Sequence, residues 1–207
     1  TARPANLEPE ETPLGVALTF DDGPHATHTA KLLEILAQHN VPATFFVIGE
    51  QVKKNRSVLV QIARASQRHQ ICNHTWSHAN LKTLSPGEFR QEIEDGQKAI
   101  QDALGHTVDR ILRPPYGAIA PPQKAMAKEM GYRLEGWTVD PLDWKVLNPR
   151  KVSEAILRST ADGSVVLAHD IHGSTIEAMR AVVPQLKKKF KLGTISGLSL
   201  FTESALT

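Results

Sequence analysis

The chain alternates short, wholly apolar runs with longer stretches in which apolar residues recur every three or four positions. Residues 16–20 and 43–48 read as buried strands. Weaker strands follow at Ile71 and Cys72, at 110–112, 134–139 and 164–168, and a short one at 194–196 closes the set. Between them, residues 27–39 carry Leu32, Leu33 and Leu36 on one helical face, and 56–66 are helical by the same spacing. Ser85, Pro86 and Glu88 supply the cap, first-turn proline and third-position acid of a capping box; Phe89, Ile93, Ile100 and Leu104 continue it as an apolar stripe. Residues 121–130 predict a helix stopped by Gly131. Asn148 and Pro149 open another through Arg158, and residues 174–177 read as a second capping box for a helix reaching Lys189.

About seven strands separated by helices argue for a single α/β domain with parallel strands. A closed barrel and an open doubly wound sheet both satisfy the pattern. No glycine-rich phosphate loop follows the first strand, which counts against a nucleotide-binding sheet. Residues 1–13, with three prolines and no periodicity, read as a linker or N-terminal extension before a domain over 14–207.

Composition narrows the classes. In 207 residues, 41% hydrophobic and 22% charged usage excludes a disordered or fibrous chain, and 5% aromatics imply an aliphatic core. The formal charge of +2 is scattered, and the one dense run, around Lys187, Lys188 and Lys189, reads as a solvated helix end, so no nucleic-acid partner is expected. No segment has the ~20 apolar residues of a membrane span. Cys72, the single cysteine, reads as a small buried apolar residue without a disulfide partner. The chain begins at Thr1 without a signal peptide, so any export signal is expected upstream.

The ionisable residues fall in a pattern. Asp21 and Asp22, His74 and His78, Arg113, Asp140 and Asp143, and His169 each follow a predicted strand, so in a parallel barrel they converge on the carboxyl-end rim. His74 and His78, four residues apart, present two imidazoles on one side of a helical turn. A lone pair at this spacing is ordinarily two surface histidines, but the aspartate pair supplies the third ligand of a metal site with an open position. Imidazole and carboxylate together suit zinc, cobalt, nickel or iron, with availability selecting zinc. Adjacent aspartates point in different directions, so one can ligate while the other accepts a proton.

These residues resemble the five motifs of the polysaccharide deacetylases, the NodB-homology domain or carbohydrate esterase family four. The resemblance lies in residues 19–23, 74–78, 113–116, 140–144 and 167–169. It implies a distorted (β/α) barrel and a metal-dependent hydrolase that removes N-acetyl groups from N-acetylglucosamine residues of chitin oligomers or peptidoglycan, releasing acetate. By the same resemblance, Asp22, His74 and His78 would hold one divalent metal, zinc with cobalt or nickel as substitutes. Asp21 would be the general base and His169 the general acid. Asp143, with Asp140 as the alternative, would orient His169, and Arg113 would hold Asp21 ionised. The Tyr116 backbone N–H would stabilise the oxyanion, and Trp144 and Leu167 would line the acetyl pocket. The implied protein is a monomer that is secreted, periplasmic or cell-wall associated.

Two other functions compete: an acetyl-xylan-type O-acetyl esterase using the same site, and a catalytically silent carbohydrate-binding domain. The intact Asp21, Asp22, His74, His78 and His169 speak against the last, because a binding module needs neither base nor acid. Among the remaining histidines, His25, His28, His39, His69 and His106 are expected in solvent, His25 also lying within reach of a substrate rim. His172 divides between a structural and a substrate-contact reading. Trp76 reads as a packing residue and Trp137 as core.

Overall fold

The computed structural model describes residues 14–200, 202, 203, 206 and 207; the expected N-terminal linker lies outside them. The strands are β1 (Val16–Asp21), β2 (Thr44–Val47), β3 (Gln70–Asn73), β4 (Ile111–Leu112), β5 (Arg133–Leu134), β6 (Val165–His169) and β7 (Leu192–Gly193). The helices are α1 (His28–Gln38), α2 (Gly49–Lys54), α3 (Arg56–Arg64), α4 (Pro86–Leu104), α5 (Pro121–Glu129), α6 (Asp143–Val146), α7 (Pro149–Ser159), α8 (Gly173–Lys189) and α9 (Ile195–Leu198).

All seven strands pair in parallel, in the order β5-β4-β3-β2-β1-β6, with β7 on the start of β1. The expected seven-stranded parallel α/β domain is present, as a barrel whose ladder is not continuous. Between β5 and β6 the gap is spanned by a single parallel bridge, Val139 to Val166.

Strand period decides what faces inward. Val16, Leu18 and Phe20 point out to the helices and pack with Leu32 and Leu36 of α1 and Val182 and Val183 of α8. The alternate residues of β1 point to the interior, where Ala17 clusters with Phe46, Cys72, Ile111 and Val165. Asp21 shares the parity of Ala17 and Thr19, so the strand period that builds the core also aims its carboxylate inward. It is in register with His169 on β6.

Local sequence accounts for both ends of α4. The Ser85 hydroxyl accepts from the Glu88 N–H, the Glu88 carboxylate accepts from the Ser85 N–H, and Gly105 in a left-handed conformation ends α4. Three expected elements differ. The strand over 134–139 is reduced to Arg133–Leu134 plus the bridge, because Gly136 is engaged elsewhere. Its carbonyl accepts from Arg113 Nη2 (2.6 Å) and its N–H donates to Thr202 Oγ1 (3.1 Å). The strand over 194–196 is instead α9, whose first turn Thr194 caps by accepting from the Gly197 N–H. The capping box over 174–177 does not form. The helix starts two residues earlier, with His172 at the N-cap; the His172 carbonyl accepts from the Thr175 and Ile176 N–H groups, and the Thr175 hydroxyl is drawn to Asp143.

Candidate active site

Asp21, Asp22, His74, His78 and His169 open into one cavity of about 400 Å³ at the carboxyl ends of the strands, shared with Tyr116, Trp137, Asp140, Trp144 and Leu167. Asp21 ends β1. Its Oδ1 accepts from Arg113 Nη1 at 2.7 Å, and the same guanidinium nitrogen donates to Thr19 Oγ1 at 2.7 Å. Arg113 is fully buried, with its guanidinium carbon 3.9 Å from the centre of the Phe46 ring. Its three acceptors, on β1 and at Gly136, lock the base-facing wall of the cavity.

Asp22 adopts a left-handed conformation (φ 75°), and its carboxylate and that of Asp21 both face His74 Nε2, with Asp21 Oδ2 at 3.6 Å. Asp22 Oδ1 stands 3.4 Å from His74 Nε2 and 3.3 Å from His78 Nε2. The histidine pair does not ride on a helical turn. Residues 74–78 form a loop in which Thr75 (φ 69°) and His78 (φ 64°) are left-handed, and the hydrogen bond from Thr75 N–H to Asn73 Oδ1 stabilises its start. The two imidazoles still meet, with ring centres 5.0 Å apart.

This trio fits a cation. One ligand atom from each of Asp22, His74 and His78 lies within 4.8 Å of the others. Asp22 Oδ1 is buried without a hydrogen-bond partner, although it faces two imidazole nitrogens. A buried carboxylate oxygen in that position is costly unless a positive charge completes it. Burial alone would raise the Asp22 pKa, but the facing His74 imidazole, aided by His169 and His78, brings it down to about 2.

Across the cavity, His169 ends β6. Its Nδ1 meets Asp143 Oδ1 at 2.7 Å, and its backbone N–H donates to Asp143 Oδ2 at 2.8 Å. Thr175 Oγ1 also donates to Asp143 Oδ2, at 2.7 Å. Burial works against the charged imidazole, yet the bond to Asp143 and the charges of Asp143, Asp21 and Asp22 push its pKa up to about 9. Burial likewise opposes the Asp143 carboxylate, but the bonds from His169 and Thr175 hold its pKa below the usual range. Asp140 takes a different part: its Oδ1 accepts from the Leu142 N–H at 2.8 Å, on the cavity rim.

The family model for polysaccharide deacetylases matches residues 9–134. The chain belongs to the polysaccharide deacetylase family. It is 38% identical over 178 residues to a peptidoglycan-N-acetylglucosamine deacetylase of Bacillus cereus, covering 84% of this chain and 64% of the relative, so it spans less than two thirds of that protein. A chitooligosaccharide deacetylase of Bradyrhizobium is 31% identical over 188 residues, covering 84% of this chain and 85% of the relative. The solved structure of the peptidoglycan deacetylase PdaC from Bacillus subtilis superposes with a TM-score of 0.84 at 32% identity, covering 89% of each chain.

The remaining residues of this deacetylase-family site have distinct surroundings. Tyr116 is left-handed (φ 61°) and exposed, its ring packed edge-on against His78 at 4.7 Å. Trp144, on α6, is 51% exposed at the mouth, and Leu167 is buried in the wall. His172 caps α8 through its carbonyl while its ring stands 6.2 Å from that of His169. His25 stacks on His28 (4.4 Å), and its Nδ1 accepts from the Thr27 and His28 N–H groups.

Two histidines expected in solvent are tied down. His28 Nδ1 donates to the Ile171 carbonyl at 2.9 Å. His69 Nδ1 accepts from the Ala43 N–H, and burial lowers its pKa to about 4. Asp170, directly after His169, is buried beneath the Asp22-Gly23 turn, accepts from Thr29 Oγ1, and fills the space a side chain at 23 would need.

Proposed function

We propose that the domain over 14–207 hydrolyses the acetamide of N-acetylglucosamine residues in a glycan polymer, chitin oligomers or peptidoglycan, releasing acetate. The observation that carries the reading is the meeting, in one cavity, of an Arg-held carboxylate, an Asp-His-His trio and an Asp-held imidazole. The names of the relatives support the N-acetylglucosamine class.

Asp22, His74 and His78 would hold one divalent ion, zinc in the first instance. When bound, such an ion supplies Lewis-acid polarisation of the scissile carbonyl and activation of a water. The residues of the chain do the rest. Asp21, kept in place by Arg113, accepts the proton of the attacking water. The Tyr116 backbone N–H donates to the developing oxyanion. His169 delivers a proton to the departing nitrogen, with Asp143 holding it in the donating orientation. Leu167 and Trp144 exclude water around the acetyl methyl. The protein acts as a secreted or wall-associated monomer.

The test is acetate release from chitin oligomers, peptidoglycan and acetylated xylan, after chelation and after restoring zinc, cobalt or nickel. Release from an N-acetylglucosamine glycan that is lost on chelation and restored by metal is expected. Release from xylan alone, or from none of the three, overturns the reading.

A further inference from the structure

The loop over 74–78 serves two cavities. It turns His74 and His78 toward the cavity described above, and Trp76 toward a second, of about 430 Å³, between α2 and α4. The loop is fixed to α2 from behind: the Gly49 N–H donates to the Thr75 carbonyl (2.9 Å) and the Glu50 N–H to the Trp76 carbonyl (3.0 Å). Gly49 is needed there, since a Cβ would stand 2.6 Å from the Trp76 ring.

The floor of this second cavity is apolar, made by Val52, Ala99 and Ala103, and the Trp76 indole forms one wall. Its rim carries both signs of charge. Lys53 Nζ lies 5.8 Å from the centre of the Trp76 ring. Arg56 is held in place by donating to the Asp102 and Ala103 carbonyls, at 3.3 Å each. Asp95 and the Lys98–Asp102 pair (2.7 Å) face them.

That lining selects by exclusion. An anion would meet Asp95 and Asp102; a cation would meet Lys53, Arg56 and Lys98; a purely apolar ligand would strip water from all of them without replacing it. An uncharged ring with an apolar C–H face and hydroxyls around its edge satisfies floor, indole and rim together, and the volume is of the size that binds small ligands. We propose that the cavity lined by Trp76 is a second glycan-binding site, which holds a sugar residue away from the residues that cleave. That the sugar is an N-acetylglucosamine residue rests on the function proposed above.

The three tryptophans make the test direct, because Trp137 and Trp144 line the first cavity and Trp76 the second. The zinc-loaded Asp21→Asn protein, which spares the ligand, is titrated with tetra-N-acetylchitotetraose while the three indole N–H resonances are followed by NMR. The expected result is a saturable shift of the Trp76 signal. In a Lys53→Ala/Asp95→Ala background its midpoint moves to about tenfold higher concentration or beyond, while the Trp144 titration stays unchanged and shows that the fold is intact. A Trp76 signal that does not move, or one whose midpoint the double substitution leaves alone, overturns the proposal. Failure of the function reading is separate: it appears as absent acetate release by the unsubstituted protein, whatever Trp76 does.

Discussion

His74 donates from Nδ1 to the backbone carbonyl of Arg113 at 2.7 Å, so Arg113 orients the imidazole that faces Asp22 with its main chain while its side chain grips Asp21. A carbonyl accepts only, which fixes a proton on Nδ1 and leaves Nε2 as the nitrogen turned toward Asp22. The two adjacent aspartates are therefore coupled through a single residue at the end of β4. Removing Arg113 takes away partners from Asp21, Thr19 and Gly136 at once. Arg113→Met is expected to lower unfolding free energy by about 3–5 kcal/mol, the usual cost of stripping one partner from a buried pair. Arg113→Lys should restore only part of it, because an ammonium cannot span the same acceptors. Urea unfolding followed by circular dichroism measures both, and a loss below about 1 kcal/mol contradicts the arrangement.

The two aspartates should separate by experiment. Asp21→Asn keeps the volume and removes the proposed proton acceptor, so metal content is expected to stay near one per chain while turnover falls about 10²–10⁴-fold. Asp22→Asn should instead lower metal content, with added metal recovering part of the rate. His74→Ala or His78→Ala should release most of the metal on dialysis, since two remaining ligands hold zinc poorly. Metal analysis beside acetate release decides; full occupancy in the His74→Ala/His78→Ala double variant refutes the assignment.

A stability measurement reads the His169–Asp143 pair without any substrate. The folded His169 pKa, about 9, lies above its ordinary 6.5. Its contribution to stability is therefore fully present below about pH 6.5 and is lost as pH rises through about 9. The decline is on the order of 3 kcal/mol. In chelated protein, the unfolding free energy of the wild type should fall across that window relative to Asp143→Asn. Parallel curves for the two proteins would show that the pair does not raise the histidine pKa.

Asp140 and Asp143 should differ sharply in activity. Asp143 holds His169 by two contacts, whereas Asp140 accepts from the Leu142 N–H at the rim. Asp143→Ala is expected to cut kcat by about 10²-fold or more, and Asp140→Ala to change kcat/KM by less than about tenfold. Equal losses in steady-state kinetics would place the orienting role on neither residue alone.

Much of this architecture was legible because strand period and capping chemistry are local. The inward parity of Asp21 follows from the alternation of β1, and Ser85 and Glu88 announced the start of α4. What failed to show was set by distant partners. Nothing within residues 134–139 announces that the Arg113 guanidinium will take the Gly136 carbonyl out of the ladder. Nothing near Thr175 reveals that its hydroxyl belongs to Asp143. The four-residue spacing of His74 and His78 suggested a helix, yet the left-handed Thr75 and His78 achieve the same convergence by a turn. Six-residue α2 is too short for periodicity to reveal. The histidines at 28 and 69 fall on a predicted helix surface and loop, where solvent is expected, but an Ile171 carbonyl and an Ala43 N–H claim them.

Asp21 and His169 form one rung of the parallel ladder between β1 and β6. Adjacent strands are held about 4.8 Å apart by their hydrogen bonds, so the backbone acts as a ruler between the two groups. Loop motion can reshape the mouth at Trp144 and Tyr116, but it has little purchase on that spacing. Redesign toward a different glycan therefore has a natural division: residues around α6 and the Tyr116 turn can be exchanged for new specificity, while the gauge set by the central strands stays as it is.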